Sequence, residues 1–195
     1  MLFRSGMDVL GRFDHLVDVP AGRLTVSEAE LALGGHELRH QSMMGIPIVE
    51  ARVGDVACGM FFDTGAQWSY LDEALRAGHP DAGPVEDFHP GFGTFETTTS
   101  RVPLSLGGLE LELRCGSLPG LLAMSLMVAG TRGIVGIEVM TDRVVGLFPR
   151  RGLIVMGPDD AAAAGPRRPR DPDAGPRRVT TARRRRDRPR RVRRP

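Results

Sequence analysis

An all-β fold is what the sequence predicts, and three observations carry that expectation. Before its C-terminal tail the pattern is strand-like: short apolar runs and stretches of apolar/polar alternation. The 195 residues include 25 Gly and 15 Pro but only one Trp and one Tyr, a composition of many turns between short elements. The Gly107-Gly108 pair stands between two strictly alternating segments, a hairpin signal. With 41% apolar side chains the chain can bury one ordinary core, so one main domain is expected.

Taken in order, "IPIVEARVGDVACGMFFD" (46–63) reads as two short strands joined at Val-Gly-Asp, the second buried from Cys58 to Phe62. "WSYLDEALRAG" (68–78) suits a short helix that stops at Gly78. "HPDAGPVEDFHPGFGTFETTTS" (79–100) is Gly/Pro-rich and reads as a mobile hairpin turning around Gly91 and Gly93. "RVPLSLGGLELELRCGSL" (101–118) is the Gly107-Gly108 hairpin, and "GLLAMSLMVAG" (120–130) a buried strand or strand pair. "GIVGIEVM" (133–140) passes through Gly136 into a short helix, and "RVVGLFPRRGLIVM" (143–156) closes the domain as a hairpin. One further pattern stands out. "GMDVLGRFDHLVDVPAGRLTV" (6–26) matches "GIEVMTDRVVGLFPRRGLIVM" (136–156), so the N-terminus repeats the end of the main unit.

Every one of the 26 basic residues is Arg, and fourteen lie after Met156 with five Asp, so the tail is strongly positive and the rest negative. Residues 157–195 hold almost no large apolar side chain and are expected to be disordered. A basic arm could hold nucleic acid through phosphates, but no aromatic interleaves the Arg run to stack on bases, which disfavours that reading. The N-terminus has no sustained apolar core of a secretory signal, and no stretch reaches the roughly 18 apolar residues of a membrane span. A cytoplasmic protein without membrane contact is expected. Cys58 and Cys115 match no metal spacing and read as small apolar residues in a reducing compartment.

The chemistry concentrates in "FFDTGA" (61–66), an acid at a strand end followed by Thr-Gly. Gly65 would admit backbone angles that a side chain forbids, letting the loop turn tightly with its amides toward Asp63. Two carboxylates held about 3 Å apart share a proton, and as a pair give a general base and a general acid. These residues, with "GIVG" some seventy positions on, resemble the retropepsin-like aspartic proteases, including their single-lobe bacterial members. The resemblance covers residues 46–156 and implies an acid protease lobe with short helices, a ψ-loop and a flap hairpin. It implies that Asp63 is catalytic, that Thr64, Gly65 and Ala66 support the catalytic loop, and that Ile134, Val135 and Gly136 form the ψ-loop beneath it. "PGFGTF" (90–95) falls where the family's flap lies, which makes Gly91, Phe92 and Gly93 candidate substrate contacts. Single-lobe members pair one Asp from each of two chains, so a homodimer acting on a polypeptide is implied, with no metal or cofactor.

The repeat adds a complication. Residues 1–30 look like the end of a preceding lobe that lacks an Asp-Thr-Gly loop, followed by a protease domain over 31–156 and the tail over 157–195. The chain is thus either a homodimeric endopeptidase or one lobe of a two-lobed enzyme, and a non-catalytic peptide-binding module is the alternative in function. Among other acids, Asp8, Asp14 and Asp18 lack a following Thr-Gly, and Asp72 and Glu73 read as a solvated helix face. His36 and His40 have i, i+4 spacing without a near third ligand, so no metal site is expected. His79 and His89 flank the flap as loop residues, while Trp68 and Tyr70 are expected to pack.

Overall fold

The computed structural model describes residues 7–158; the tail expected to be disordered lies, from residue 159 on, outside the described residues. The chain opens with one helical turn, α1 (Met7–Leu10), and a hairpin of β1 (Asp14–Asp18) and β2 (Arg23–Ser27). A meander follows of β3 (His36–Met43), β4 (Ile46–Val53) and β5 (Val56–Phe62). After β6 (Ser69–Leu71) and the short α2 (Glu73–Arg76) come three long strands: β7 (Asp81–His89), β8 (Gly93–Leu106) and β9 (Leu109–Gly116). Helix α3 (Gly120–Val128), β10 (Thr131–Val135), a 3-10 turn (Ile137–Met140), β11 (Val144–Phe148) and β12 (Leu153–Met156) complete the chain.

All twelve strands join one sheet in the order β2-β1-β11-β12-β3-β4-β5-β10-β6-β9-β8-β7. Because β4 pairs with β8 as well as with β5, the part of the sheet from β4 round to β8 closes on itself. Alternation explains how. In β8 Val102, Leu104 and Leu106 point inward and Arg101 and Pro103 outward, while Leu113 and Cys115 do the same from β9. These side chains meet Val49, Ala51, Met60, Phe62 and Val135 in one core. Burying each such side chain is worth about 1.5–3 kcal/mol, so the closed strands are the rigid base of the molecule. The fold is all-β with short helices, as expected.

Two local expectations are corrected. Residues 120–128 form a helix, not a buried strand; only Leu126 is buried, and Leu121, Met124, Met127 and Val128 are exposed. Apart from Ser125 the segment is apolar or Gly, so periodicity was uninformative, yet Leu, Ala and Met are helix formers and Val128 is its one β-branched residue. Residues 69–71 are a buried strand and not the start of a helix, because β6 is captured between β10 and β9. The helix that follows is capped by Asp72, whose carboxylate accepts from the Ala74 amide at 2.8 Å.

Candidate active site

β5 delivers Asp63 to the site. Its last residues, Phe61 and Phe62, pair in parallel with Ile134 and Val135 of β10, and the ladder continues as the Asp63 amide donates to the Val135 carbonyl at 3.0 Å. On its other side β10 pairs antiparallel with β6, Ile134 opposite Tyr70. One strand therefore passes between the two arms of the loop that carries Asp63.

The loop is tied at both ends. Gly65 donates its amide to Asp63 Oδ1 at 2.8 Å, and Ala66 donates to the Asp63 carbonyl at 3.1 Å. Ile137 donates to the Ala66 carbonyl at 2.9 Å, and Gly136 donates to Ser69 Oγ at 3.1 Å. Neither glycine is needed for its dihedral angle; Gly65 is tightly packed, and Gly136 is required by contact. Gly65 is absent from the positive-φ residues, so the backbone freedom expected of it is not used; a Cβ there would lie 3.2 Å from Asp63 Oδ1. At Gly136, with φ −86°, a Cβ would come within 2.5 Å of the Trp68 carbonyl oxygen. The chain at Gly136 can pass this close to the Asp63 loop only because it has no side chain at that point.

Asp63 and the exposed Thr64 line a cavity of about 400 Å³, in which Asp63 is the only carboxylate among the lining residues. Its walls are mainly apolar, with Ile46, Phe62, Ile137 and Leu147 among them, and two imidazoles, His15 and His40, face it. Burial pushes the His15 pKa down, against the pull of the Asp14 charge and a bond to the Leu147 backbone. Sequence reasoning weighed His40 only as a metal ligand and missed His15, whose place beside Asp63 depends on a pairing far along the chain. Among the described residues no cluster of three or more His, Cys, Asp or Glu could hold a metal, and no helix is long and apolar enough to cross a membrane.

Glu138 is the other acid beside the loop. Burial raises its pKa, only partly offset by bonds from Ser69 and from the Arg114 amide. The Arg114 guanidinium stacks over Trp68 at 5.0 Å, so Trp68 packs as expected.

The flap candidate is the β7–β8 hairpin, which turns at residues 90–92. Phe92 lies edge-on to Phe95 at 6.1 Å, and Phe95 contacts Tyr70 at 6.1 Å, linking the hairpin tip to the strand that follows the Asp63 loop. The Tyr70 hydroxyl donates to Asp87 on β7, a second tie between the same two elements. Gly91, Phe92 and Gly93 are not among the residues lining the Asp63 cavity.

Asp14, Asp18 and His36 have structural partners. Asp14 is fully buried, accepting from the Leu31 amide at 2.9 Å and from Arg150 and Arg151 at 3.2 and 2.6 Å. Burial acts to raise its pKa, but the Leu31 amide and the two guanidiniums outweigh it and hold the carboxyl below the usual range. Asp18 pairs with Arg23, and His36 bonds the Gly107 carbonyl.

No family model and no curated protein matches the chain. Among solved structures it is similar to the simian foamy virus (mac) protease, at 14% identity and a TM-score of 0.33 over 46% of this chain and 86% of that one. It is also similar to a foamy viral protease-reverse transcriptase in complex with an RNA/DNA hybrid, at 17% identity and a TM-score of 0.37 over 46% of this chain and 10% of that one. Neither likeness bears an argument about this chain.

Proposed function

We propose that the protein supplies one half of an aspartic endopeptidase site, in which Asp63 works with a second Asp carboxylate carried by another lobe of the same type. The ionised member takes a proton from water, whose oxygen attacks the peptide carbonyl carbon as the protonated member donates to the carbonyl oxygen. Collapse of the resulting diol passes a proton to the leaving nitrogen. Thr64, Gly65 and Ala66 hold the loop, Ile134, Val135 and Gly136 seat it, and the hairpin tip at Gly91, Phe92 and Gly93 contacts an extended polypeptide substrate. Such a substrate is bound by main-chain hydrogen bonds, with side-chain pockets giving preference. No metal or cofactor enters the reaction. On the sequence that second carboxylate is expected from a homodimer, although the β11 edge of this chain is already paired with β1.

One observation carries the reading: the only acid in the cavity is the one seated on the crossing strand, with the Gly65 amide fixing one oxygen. The test is cleavage of a peptide library between acidic and neutral pH, with the scissile bonds read by mass spectrometry. Asp63→Asn should abolish every cut made by the wild type while leaving its melting temperature nearly unchanged, since Asn keeps an oxygen for the Gly65 amide. Cuts that survive Asp63→Asn would sink the assignment. Binding of library peptides without cleavage would favour the alternative of a non-catalytic peptide-binding module.

A further inference from the structure

The sequence repeat has a counterpart in three dimensions, and its register is informative. Positions 130 apart correspond throughout: α1 at Met7–Leu10 answers the 3-10 turn at Ile137–Met140. The β1–β2 hairpin pairs His15 with Val26 and Asp18 with Arg23, as β11–β12 pairs Val145 with Met156 and Phe148 with Leu153. Even the turns agree, with Gly22 and Gly152 at φ 60° and 58°, donating to Val19 and Pro149.

The two hairpins then pair with each other through β1 and β11, antiparallel and centred on Leu16 opposite Gly146. Those two residues are themselves counterparts, and His15–Leu147 mirrors Val17–Val145. This is the register of a two-fold axis, built inside one chain. The Asp63 cavity straddles that axis. It is lined by Leu10, Val17 and Leu24 from the first repeat and by their counterparts Met140, Leu147 and Ile154 from the second.

The symmetry stops at the edge of β2. Its counterpart β12 pairs onward with β3, Ile154 opposite Leu38 and Met156 opposite His36, whereas β2 ends the sheet. The difference shows in exposure. Val139, Met140, Ile154 and Met156 are 4, 1, 1 and 1% exposed, while Val9, Leu10, Leu24 and Val26 are 45, 42, 63 and 45% exposed. Four positions keep their apolar character in both repeats, but only one repeat has a lobe packed over them. An exposed apolar edge strand is a site for strand pairing.

We propose that β2 and the apolar face of α1 dock a second retropepsin-like lobe. That lobe would pair its own β3-like strand with β2, take the β1–β2 hairpin as its closing hairpin, and bring a catalytic loop to the axis opposite Asp63. Because the β11 edge is already paired with β1 in this chain, the occupant is a lobe that lacks its own closing hairpin and not a second copy. This inference rests on the reading of Asp63 as half of a pair, and it names the kind of partner that supplies the other half.

The test compares the full chain with a joined chain in which residues 28–135 are repeated immediately ahead of Gly6, followed by hydrogen exchange at Arg23–Ser27 and by sedimentation. In the full chain the outward amides of β2 should exchange freely, and Leu24→Asp with Val26→Asp should leave melting and oligomeric state unchanged. In the joined chain the same amides should gain protection of about 100-fold or more, and the double substitution should abolish that gain. Three results would overturn the proposal: β2 amides in the full chain as protected as those of β12, a full-chain dimer that the double substitution dissolves, or a cooperatively folded joined chain with β2 still exposed. Should the joined chain not fold, the first two results on the full chain still decide. Protection does not depend on the chemistry of Asp63, so a protected but inactive joined chain would overturn the peptidase reading and leave the docking surface standing.

Discussion

Replacing Gly136 with alanine tests the seat of the candidate active site directly. The new Cβ would lie 2.5 Å from the Trp68 carbonyl oxygen, 2.6 Å from its carbon and 3.0 Å from the Ala66 carbonyl oxygen. All three atoms are backbone, so no rotamer change relieves the clash. The chain has to move apart by nearly an ångström, in the region of the Gly136–Ser69 bond at 3.1 Å and the Ile137–Ala66 bond at 2.9 Å. Overpacking costs about 1–3 kcal/mol, and weakening one or two hydrogen bonds adds about 1 kcal/mol. A loss near 3 kcal/mol corresponds to a fall in melting temperature of about 6–12 °C for a domain of this size. Thermal melting by circular dichroism measures it, with Gly34→Ala as the control because a Cβ there meets nothing within 4 Å. A Gly136→Ala protein melting within about 2 °C of wild type would refute the claim that close passage of the ψ-loop requires glycine.

Other outcomes follow from the buried charges. Asp14→Asn should lower stability by about 2 kcal/mol at neutral pH, a discounted figure because both arginines are partly exposed. The Asp14 pKa is lowered on folding, so its stabilisation is complete above its ordinary value of 3.8 and is lost as pH falls through the folded value. The gap between wild type and variant should therefore narrow in urea titrations at strongly acidic pH, and a gap constant across pH would contradict the ion-pair account. Glu138 has the opposite sign. Its folded pKa lies above the ordinary 4.5, so the ionised carboxylate costs stability at neutral pH and nothing well below that value. Glu138→Gln should raise the melting temperature by about 1–3 °C at pH 7 and lose that advantage near pH 4; a variant less stable than wild type at pH 7 would show that the charge is stabilising. Tyr70→Phe should cost about 1–2 kcal/mol through the unsatisfied Asp87 and loosen the hairpin. Increased hydrogen exchange across β7 and the tip of β8 is the expected signature, and unchanged exchange would show that the hydroxyl does not hold the hairpin.

Much was legible before any coordinates because it is local. Alternation on either side of Gly107-Gly108, the Val-Gly-Asp turn and the apolar run ending at Asp63 state which residues face the core, and strand geometry follows from period alone. The pairing of Phe62 with Val135 also had a sequence trace, in the Asp-Thr-Gly and Ile-Val-Gly motifs. Where a segment was almost wholly apolar, as at 120–128, period was silent and propensity was the signal overlooked. What only the tertiary structure decided are the relations between distant segments. His15 and His40 share a cavity with Asp63 because β1 is paired to β11 and β3 to β12, partners more than a hundred positions apart. The repeat was visible in the sequence, but its meaning was not. Identical hairpins can lie anywhere relative to each other, and only their mutual register, Leu16 opposite Gly146, makes them halves of a two-fold arrangement. Likewise Leu24 and Ile154 are equally apolar, and which of them is covered depends on the strand beside it and not on its own chemistry.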